Sequence, residues 1–492
     1  MSFSEYSEYD AFGLRALIGA REVSISEVAV AAFERIAQLN PLLNAIVDTF
    51  DDLVDQQVKV LSCNRDAEHF PLLGVPVVVK DCVAGVCGVS QKFGTRLTRA
   101  FTAERDEEII RRYRQAGAVF IGQTNVPEFS SSITTESVLY GVCSNPWDLT
   151  RTVGGSSGGA ACSVAACMAP VATANDSAGS IRIPASCTGV FGFKPSRGRT
   201  PNGPDVSEIW NGLFVQHVLT RSVRDSAVFL DVAHGSDDGA PYAAPHFEGT
   251  YLAEAGKDPE RLKIAFSLQP INGVPVEDAC KAVVLDTAEL LSDLGHTIVE
   301  DQPALEAGRY FEVLENLICV NLAYEFQRHA MHQNTEISAE TVEACHLKMI
   351  RIGEQLPATA LMEFYTLKAH CERQMGRFFK TYDAFLTPTL AKAPVSHGFL
   401  NANSSNLRAY LDRFWAFSPF TTLANISGAP SMSVPLFHNS EGVPIGSMLT
   451  AAFGRDEKLF SLAGQLERAL PWKGRKPPLD TFLGGVETSC AQ

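Results

Sequence analysis

A stretch dominated by glycine, alanine, serine and cysteine, from Val153 to Arg199, is the strongest constraint that this sequence places on a fold. Small side chains let backbone segments approach closely, so the stretch predicts tight packing of the chain. Its most apolar part, Ala160 to Ala174, is too short to span a bilayer and is interrupted by Pro170. We therefore expect this part to be a buried core segment.

Strand and helix patterns alternate before this stretch. Val75 to Val79 is apolar throughout and rich in β-branched residues, which is typical of a strand covered on both faces, and Lys80 follows at its end. An amphipathic, charged segment from Asp106 to Gln115 precedes a second apolar run, Gly117 to Ile121. This alternation predicts an α/β fold.

Other segments also have helical or strand periodicity. A capping box at Ser24 and Glu27 begins a helix predicted from Ile25 to Leu39, ending before Asn40 and Pro41. The region from about 234 to 400 is predicted to be largely helical. A strand pair is predicted at two segments near the C-terminus, Ser431 to Phe437 and Ile445 to Ala451. No linker-like run divides the chain, so one domain over residues 1–492 is expected.

Charge and composition exclude several classes of function. The chain has 41 Lys and Arg against 56 Asp and Glu, a net charge of −15, which disfavours binding to nucleic acid or to anionic membranes. Acidic residues near the N-terminus do not resemble a secretory signal. The twelve cysteines do not have the spacing of zinc ligands, and Cys345-His346 alone is a weak signal. A soluble, cytoplasmic protein without a metal is expected.

The loop from Gly154 to Gly159, Gly-Gly-Ser-Ser-Gly-Gly, has two interpretations. A loop of this kind that leads into a helix can bind an anion through its backbone N–H groups. The other interpretation is a tight turn with close packing. Gly154, Ser156 and Gly158 also match the G-x-S-x-G pattern of a nucleophile elbow. An α/β-hydrolase with Ser156 as nucleophile and a downstream histidine as base is therefore an alternative.

A second polar loop, Asn175 to Pro184, directly follows an apolar, strand-like segment. Consecutive small residues ending in Ser180 suit an oxyanion hole, because several backbone N–H groups must face one developing charge. An ordinary polar turn is the other interpretation. Lys80 either extends to solvent or, if buried, has a pKa lowered toward neutrality, and such a lysine can serve a serine that needs a base.

Taken together, these elements resemble the amidase signature family. The Gly-Gly-Ser-Ser-Gly-Gly loop, the Asn-Asp-Ser-Ala-Gly-Ser-Ile-Arg loop and a lysine that ends a strand occur in one chain, with similar spacing and further matches along nearly the whole sequence. The resemblance implies one large mixed β-sheet surrounded by helices, with the 234–400 region shaping substrate access. It also implies hydrolysis of an amide carbon–nitrogen bond without a cofactor.

The resemblance assigns roles to particular residues. It makes Ser180 the nucleophile, Ser156 a bridging serine on a cis peptide bond, and Lys80 the terminal base. The implied oxyanion donors are backbone N–H groups around the nucleophile, at Ser177, Ala178, Gly179 and Ser180. The backbone near Ser130 is an implied substrate contact. Ala178 stands where the family usually has glycine, so its Cβ is expected to perturb the loop if the backbone there has positive φ.

Within the family, the sequences around both sides of the nucleophile resemble the branch of 6-aminohexanoate-cyclic-dimer hydrolases. Asn175-Asp176 precedes the loop, and Lys194 to Arg199 follows it. A small-molecule amide substrate is therefore expected, with a homodimer as an alternative to a monomer. A non-catalytic scaffold of the amidotransferase type is a further alternative.

Overall fold

Eleven of seventeen strands form one mixed β-sheet in the computed structural model, which describes residues 3–64, 66–83, 85–98, 101–305, 307–479 and 481, and the other six form three two-stranded sheets. The strands are β1 (Ile46–Thr49), β2 (Pro76–Lys80), β3 (Ser90–Gln91), β4 (Phe101–Thr102), β5 (Val119–Thr124), β6 (Glu136–Ser137), β7 (Gly141–Val142), β8 (Ser144–Asn145), β9 (Asp148–Thr152), β10 (Val171–Asp176), β11 (Phe191–Lys194), β12 (Val215–Thr220), β13 (Lys263–Phe266), β14 (Thr297–Glu300), β15 (Ala384–Pro388), β16 (Ser431–His438) and β17 (Pro444–Ala451). The helices are α1 (Ala11–Gly19), α2 (Ile25–Leu43), α3 (Asp51–Cys63), α4 (Glu108–Gln115), α5 (Gly158–Ala165), α6 (Arg182–Thr188), α7 (Val223–Ala233), α8 (Tyr251–Ala255), α9 (Asp278–Asp293), α10 (Tyr310–Gln333), α11 (Ala344–Gln355), α12 (Thr359–Phe378), α13 (Leu407–Phe417), α14 (Thr422–Ser427) and α15 (Asp456–Ala469).

The order of strands in the large sheet is β1-β5-β2-β10-β12-β11-β16-β17-β15-β13-β14. Strand β2 lies between β5 and β10 and is parallel to both, whereas β10 and β12 are antiparallel. The α/β class and the mixed sheet surrounded by helices are therefore confirmed. Parallel pairing brings the carboxyl ends of β2 and β10 to the same edge, which is where α/β sheets commonly place their ligands.

Both faces of β2 are buried, as its apolar sequence predicts. Val77 and Val79 pack in one apolar cluster with Phe120, whereas Val78 packs in another cluster with Ile121. Alternating residues of a strand point to opposite faces, so each cluster covers one face of the sheet. The strand therefore holds Lys80, its last residue, in a fixed position that solvent does not reach.

The helix α2 begins at Ile25, as predicted, but it does not end where predicted. The Ser24 side chain accepts from the Glu27 N–H, and the Glu27 carboxylate accepts from the Ser24 N–H, which completes the capping box. The helix α2 continues through Pro41 to Leu43 and ends at Asn44, which has positive φ. The prediction that it stops at Leu39 was therefore wrong.

The other predicted elements lie where the sequence placed them. Structure confirms the helix α4 before β5, the segment that becomes β10, and the antiparallel pair of β16 and β17. The 234–400 region contains the helices α8 to α12, but it also contributes β13, β14 and β15 to the large sheet. Its role in substrate access stays a prediction, as does the single domain over residues 1–492.

The small-residue stretch is packed as closely as predicted. Between Val153 and Arg199 all but four residues are buried. A Cβ on Gly159 would lie 2.6 Å from the carbonyl oxygen of Ala45, so only glycine fits there.

Among the described residues, none of the helices has the length and apolar character needed to cross a membrane.

Candidate active site

Lys80 is the last residue of β2 and is completely buried. Its backbone N–H donates to Thr173 Oγ1 of the parallel strand β10 at 2.9 Å, which ties the two strand ends together. Its side chain Nζ lies 2.8 Å from Ser156 Oγ and 2.6 Å from Asn175 Oδ1. The sheet therefore brings Lys80 and Ser156 into hydrogen-bond contact although they are far apart in the sequence.

Burial changes the protonation of Lys80. Desolvation lowers its pKa from the ordinary value to about 8, and the nearby Cys82 thiol and Asp176 carboxylate oppose this shift. An ammonium ion loses its hydration when it is buried, so the neutral amine gains relative stability. With a pKa of about 8, about a tenth of Lys80 is neutral at pH 7, far more than of an ordinary lysine, and the neutral form is the one that accepts a proton.

Ser156 lies in the loop between β9 and α5 and is 1% exposed. The peptide bond between Gly155 and Ser156 is cis. The following residue, Ser157, donates its backbone N–H to the carbonyl oxygen of Ser180 at 3.3 Å. The backbones that carry the two serines therefore lie side by side.

Ser180 lies just before the helix α6, at the carboxyl side of β10. It is 8% exposed, and its hydroxyl has no hydrogen-bond partner within the described part of the chain. A serine hydroxyl at a strand-to-helix turn that is not engaged in a structural hydrogen bond is free to attack a substrate carbonyl carbon.

Asp176 fixes the loop that contains Ser180. Its buried carboxylate accepts from the Gly179 N–H at 2.7 Å and the Ile181 N–H at 3.1 Å, and it pairs with Arg182 through two contacts of 3.0 Å. Burial alone raises the pKa of Asp176, but the Arg182 charge holds it at about 2. Asn425 Nδ2 donates to the same carboxylate at 2.8 Å, which joins α14 to the loop.

This network changes one predicted role. The Gly179 N–H was predicted to be an oxyanion donor, but it is engaged by Asp176. The backbone N–H groups of Ser177, Ala178 and Ser180 make no hydrogen bond among the described residues, so they remain candidate donors. Ala178 does not have positive φ, and its Cβ therefore causes no backbone strain in the loop.

Gly179→Ala is expected to destabilise the fold by about 1–3 kcal/mol, because it combines strain with overpacking. Gly179 has a φ of +131°, and a Cβ there would lie 2.5 Å from Thr421 Oγ1 and 2.7 Å from Ile183 Cδ1. Thermal unfolding measures the effect. Gly376→Ala is the control, since Gly376 is an exposed residue of helix α12 with open space around it, and should be neutral or slightly stabilising. Equal unfolding temperatures for Gly179→Ala and wild type would contradict the expectation.

Ser130 belongs to a separate loop in which Phe129 and Ser130 both have positive φ. The preceding Glu128 is buried and anchors this loop. Its carboxylate accepts from Thr95 Oγ1 at 2.9 Å and lies 2.7 Å from His346 Nδ1 of α11. The residue predicted as a substrate contact is therefore held in a strained conformation by a buried ion pair.

Glu128, His346 and Glu343 are the described residues whose ligand atoms lie close enough to hold a metal ion. They already bind one another: His346 pairs with Glu128, and the same carboxylate accepts from the Glu343 N–H at 3.0 Å. Burial lowers the pKa of His346, but Glu128 raises it above the ordinary value overall. The geometry is that of a structural ion pair. Sequence reasoning missed it because Glu128 and His346 are more than 200 positions apart.

The nucleophile-elbow alternative receives no support from the contacts of Ser156. Its hydroxyl contacts Lys80 rather than a histidine. His217, the first candidate base downstream, is fully buried and its Nε2 pairs with Ser226 Oγ at 2.8 Å. Burial lowers its pKa to about 3. A base of this kind is engaged in the core and not in proton transfer from Ser156.

Comparison with known proteins identifies relatives that extend over almost the whole chain. A family model described as Amidase matches residues 27–460. The 6-aminohexanoate-cyclic-dimer hydrolase of Paenarthrobacter ureafaciens is 32% identical over 483 residues, covering 96% of each chain.

Solved structures agree with this relationship. A structure of 6-aminohexanoate cyclic dimer hydrolase complexed with substrate superposes with a TM-score of 0.90 at 30% identity, covering 96% of this chain and 99% of the other. A bacterial aryl acylamidase of the amidase signature family superposes with a TM-score of 0.85 at 25% identity, covering 95% and 99%. The α/β-hydrolase and scaffold alternatives are not favoured. The chain belongs to the amidase signature family and is a hydrolase of amide carbon–nitrogen bonds.

Proposed function

We propose that Ser180 is the nucleophile of this amidase, that Ser156 relays its proton, and that neutral Lys80 is the base. The observation that carries the proposal is the 2.8 Å contact between Lys80 Nζ and Ser156 Oγ inside a dry site. The lowered pKa of Lys80, about 8, supports it because the base must accept a proton near neutral pH. The backbone contact between Ser157 and Ser180 supports the approach of the two serines.

The chemistry follows from these positions. Ser180 Oγ attacks the amide carbonyl carbon while its proton passes to Ser156 and the Ser156 proton passes to Lys80. Collapse of the tetrahedral intermediate breaks the carbon–nitrogen bond, and the relay returns a proton to the leaving nitrogen. Water then attacks the acyl ester, gives its proton to the relay, and Ser180 recovers a proton as the ester bond breaks. The free N–H groups of Ser177, Ala178 and Ser180 supply candidate donors to the oxyanion.

We further propose a small cyclic amide as the substrate class, in a reducing compartment such as the cytoplasm. Two relatives act, by name, on a cyclic dimer of 6-aminohexanoate. The eleven cysteines that the structure describes are all free thiols, which supports a reducing environment. Sedimentation would distinguish a monomer from the alternative homodimer.

A fluorophosphonate probe followed by peptide mapping is expected to modify Ser180 and not Ser156, because the probe mimics the tetrahedral intermediate at the nucleophile. The labelled enzyme should lose hydrolysis of every amide that the unlabelled enzyme cleaves. Modification at Ser156 with an unmodified Ser180 would refute the assignment. Turnover of the cyclic amide but not of the linear amides would support the proposed substrate class.

A further inference from the structure

Asn175 in β10 contacts Lys80 by a bond that the relay itself does not use. Its Oδ1 accepts from Lys80 Nζ at 2.6 Å, and its Nδ2 donates to the carbonyl oxygen of Cys82 at 3.3 Å. The side chain is 4% exposed. Because Nδ2 is bound to a carbonyl oxygen, a flipped amide would lose both bonds, so the acceptor oxygen must face Lys80.

A neutral amine has two N–H groups and one lone pair. As a base toward Ser156, Lys80 must direct the lone pair at the Ser156 hydroxyl, which leaves its two N–H groups to be oriented elsewhere. Asn175 Oδ1, 2.6 Å from Nζ, accepts one of them. A hydrogen-bond acceptor at this position therefore selects the rotation of the amine that suits proton transfer.

We propose that Asn175 is a positioning residue that orients the Lys80 amine toward Ser156 and, as an uncharged acceptor, keeps that amine able to lose its proton. This inference rests on the proposed role of Lys80 as the base. Asn175 acts through Lys80 and does not itself touch the reacting atoms.

The charged and titratable groups around Lys80 agree with this role. Cys82 follows on the same strand end, and burial raises the pKa of its thiol, so it remains neutral. Asp176 is next to Asn175, but its carboxylate pairs with Arg182. The Asp81 carboxylate accepts from Tyr140 Oη at 2.6 Å. The side chains that hydrogen-bond to Nζ among the described residues, Ser156 and Asn175, are therefore both uncharged.

Two substitutions of nearly equal size should move the pH dependence in opposite directions. The acid limb is the part of the pH–rate profile in which the rate falls as Lys80 becomes protonated. Asn175→Asp places a carboxylate against Nζ, which stabilises the ammonium ion and should shift this limb to higher pH by about one unit or more. Asn175→Leu removes the acceptor, so the limb should move to lower pH. Loss of orientation in Asn175→Leu should also lower the maximal rate by about 10- to 100-fold.

The measurement is the rate of Ser180 modification by the fluorophosphonate between pH 5 and 10 on the full chain, alongside kcat/KM for an amide that the wild type cleaves. Asn145→Asp is the matched control, because Asn145 is equally buried but bonds to the backbone of Thr152 and Cys187. It should affect stability without moving the limb. If Asn175→Asp does not fold, the downward shift in Asn175→Leu carries the test alone.

The outcomes separate this inference from the proposed function. If both Asn175 variants have the same acid limb as the wild type, the proposed role of Asn175 is overturned and the role of Lys80 as the base is not. A wild-type probe reaction that is independent of pH would overturn Lys80 as the base and this inference with it. Opposite shifts in the two variants, with no shift in Asn145→Asp, support the inference.

Discussion

Ser180→Ala is expected to lower kcat by at least about 10⁴-fold, because it removes the atom that forms the acyl-enzyme. The amide carbon–nitrogen bond then has no covalent route, and the remaining groups bind substrate without reacting. KM should change little, since Ser180 Oγ has no hydrogen bond in the described part of the free enzyme. Single-turnover hydrolysis of an amide that wild type cleaves measures the effect.

A second serine provides the control for this substitution. Ser163 is fully buried in α5, and its hydroxyl donates to the backbone oxygen of Ala160 at 2.8 Å. Ser163→Ala should retain activity within about twofold, with at most a modest loss of stability from one hydrogen bond. Persistent turnover by a folded Ser180→Ala variant would show that another group is the nucleophile.

Lys80→Met is expected to lower kcat by about 10²–10⁴-fold, because it removes the proton acceptor while keeping an unbranched side chain of similar length. The pH profile gives a more specific result. Burial lowers the Lys80 pKa to about 8, and the neutral amine is the active form, so the rate falls as pH drops below 8. Between pH 8 and pH 6 wild-type kcat/KM should fall about 50-fold. This acid limb should be absent from the residual activity of Lys80→Met.

Lys194 distinguishes this base from another buried lysine. It is also fully buried, and desolvation lowers its pKa to about 7, but its Nζ donates to the carbonyl oxygen of Pro195 rather than to a serine. Lys194→Met should keep the acid limb near pH 8. The assignment fails if the limb disappears in Lys194→Met and remains in Lys80→Met. Thermal unfolding of each variant verifies that its activity is measured on folded protein.

Local sequence patterns predicted the elements whose environment is uniform along their length. The apolar run before Lys80 predicted β2 because a strand covered on both faces needs apolar residues at every position. The strands β13 and β14 were missed, since each has four residues and β14 is an edge strand with little burial. The end of α2 was misplaced because Pro41 falls in the last turn, where the helix tolerated it.

The site residues also divide into those that the sequence made visible and those whose contacts depend on distant segments. The serines, the lysine and the small-residue loops are visible as local motifs, each with more than one interpretation. The resemblance to the amidase signature family made them a candidate triad. Asp176 and Arg182 lie within the same motif, but their pairing with Asn425 joins segments far apart in the chain. The resemblance placed the Gly179 N–H among the oxyanion donors, whereas in the structure it donates to Asp176. A local pattern does not show which acceptor a backbone N–H meets.

The sequence by itself determined which chemical groups are present and that Lys80 follows a strand buried on both faces. Only the tertiary structure decided that Lys80 Nζ contacts Ser156 and Asn175, and that no solvent reaches it. The physical reason is that distance and desolvation depend on how β2, β10 and the loop before α5 pack together. Those two quantities set both the path of the proton and the pKa of the amine, and neither is a property of a residue type.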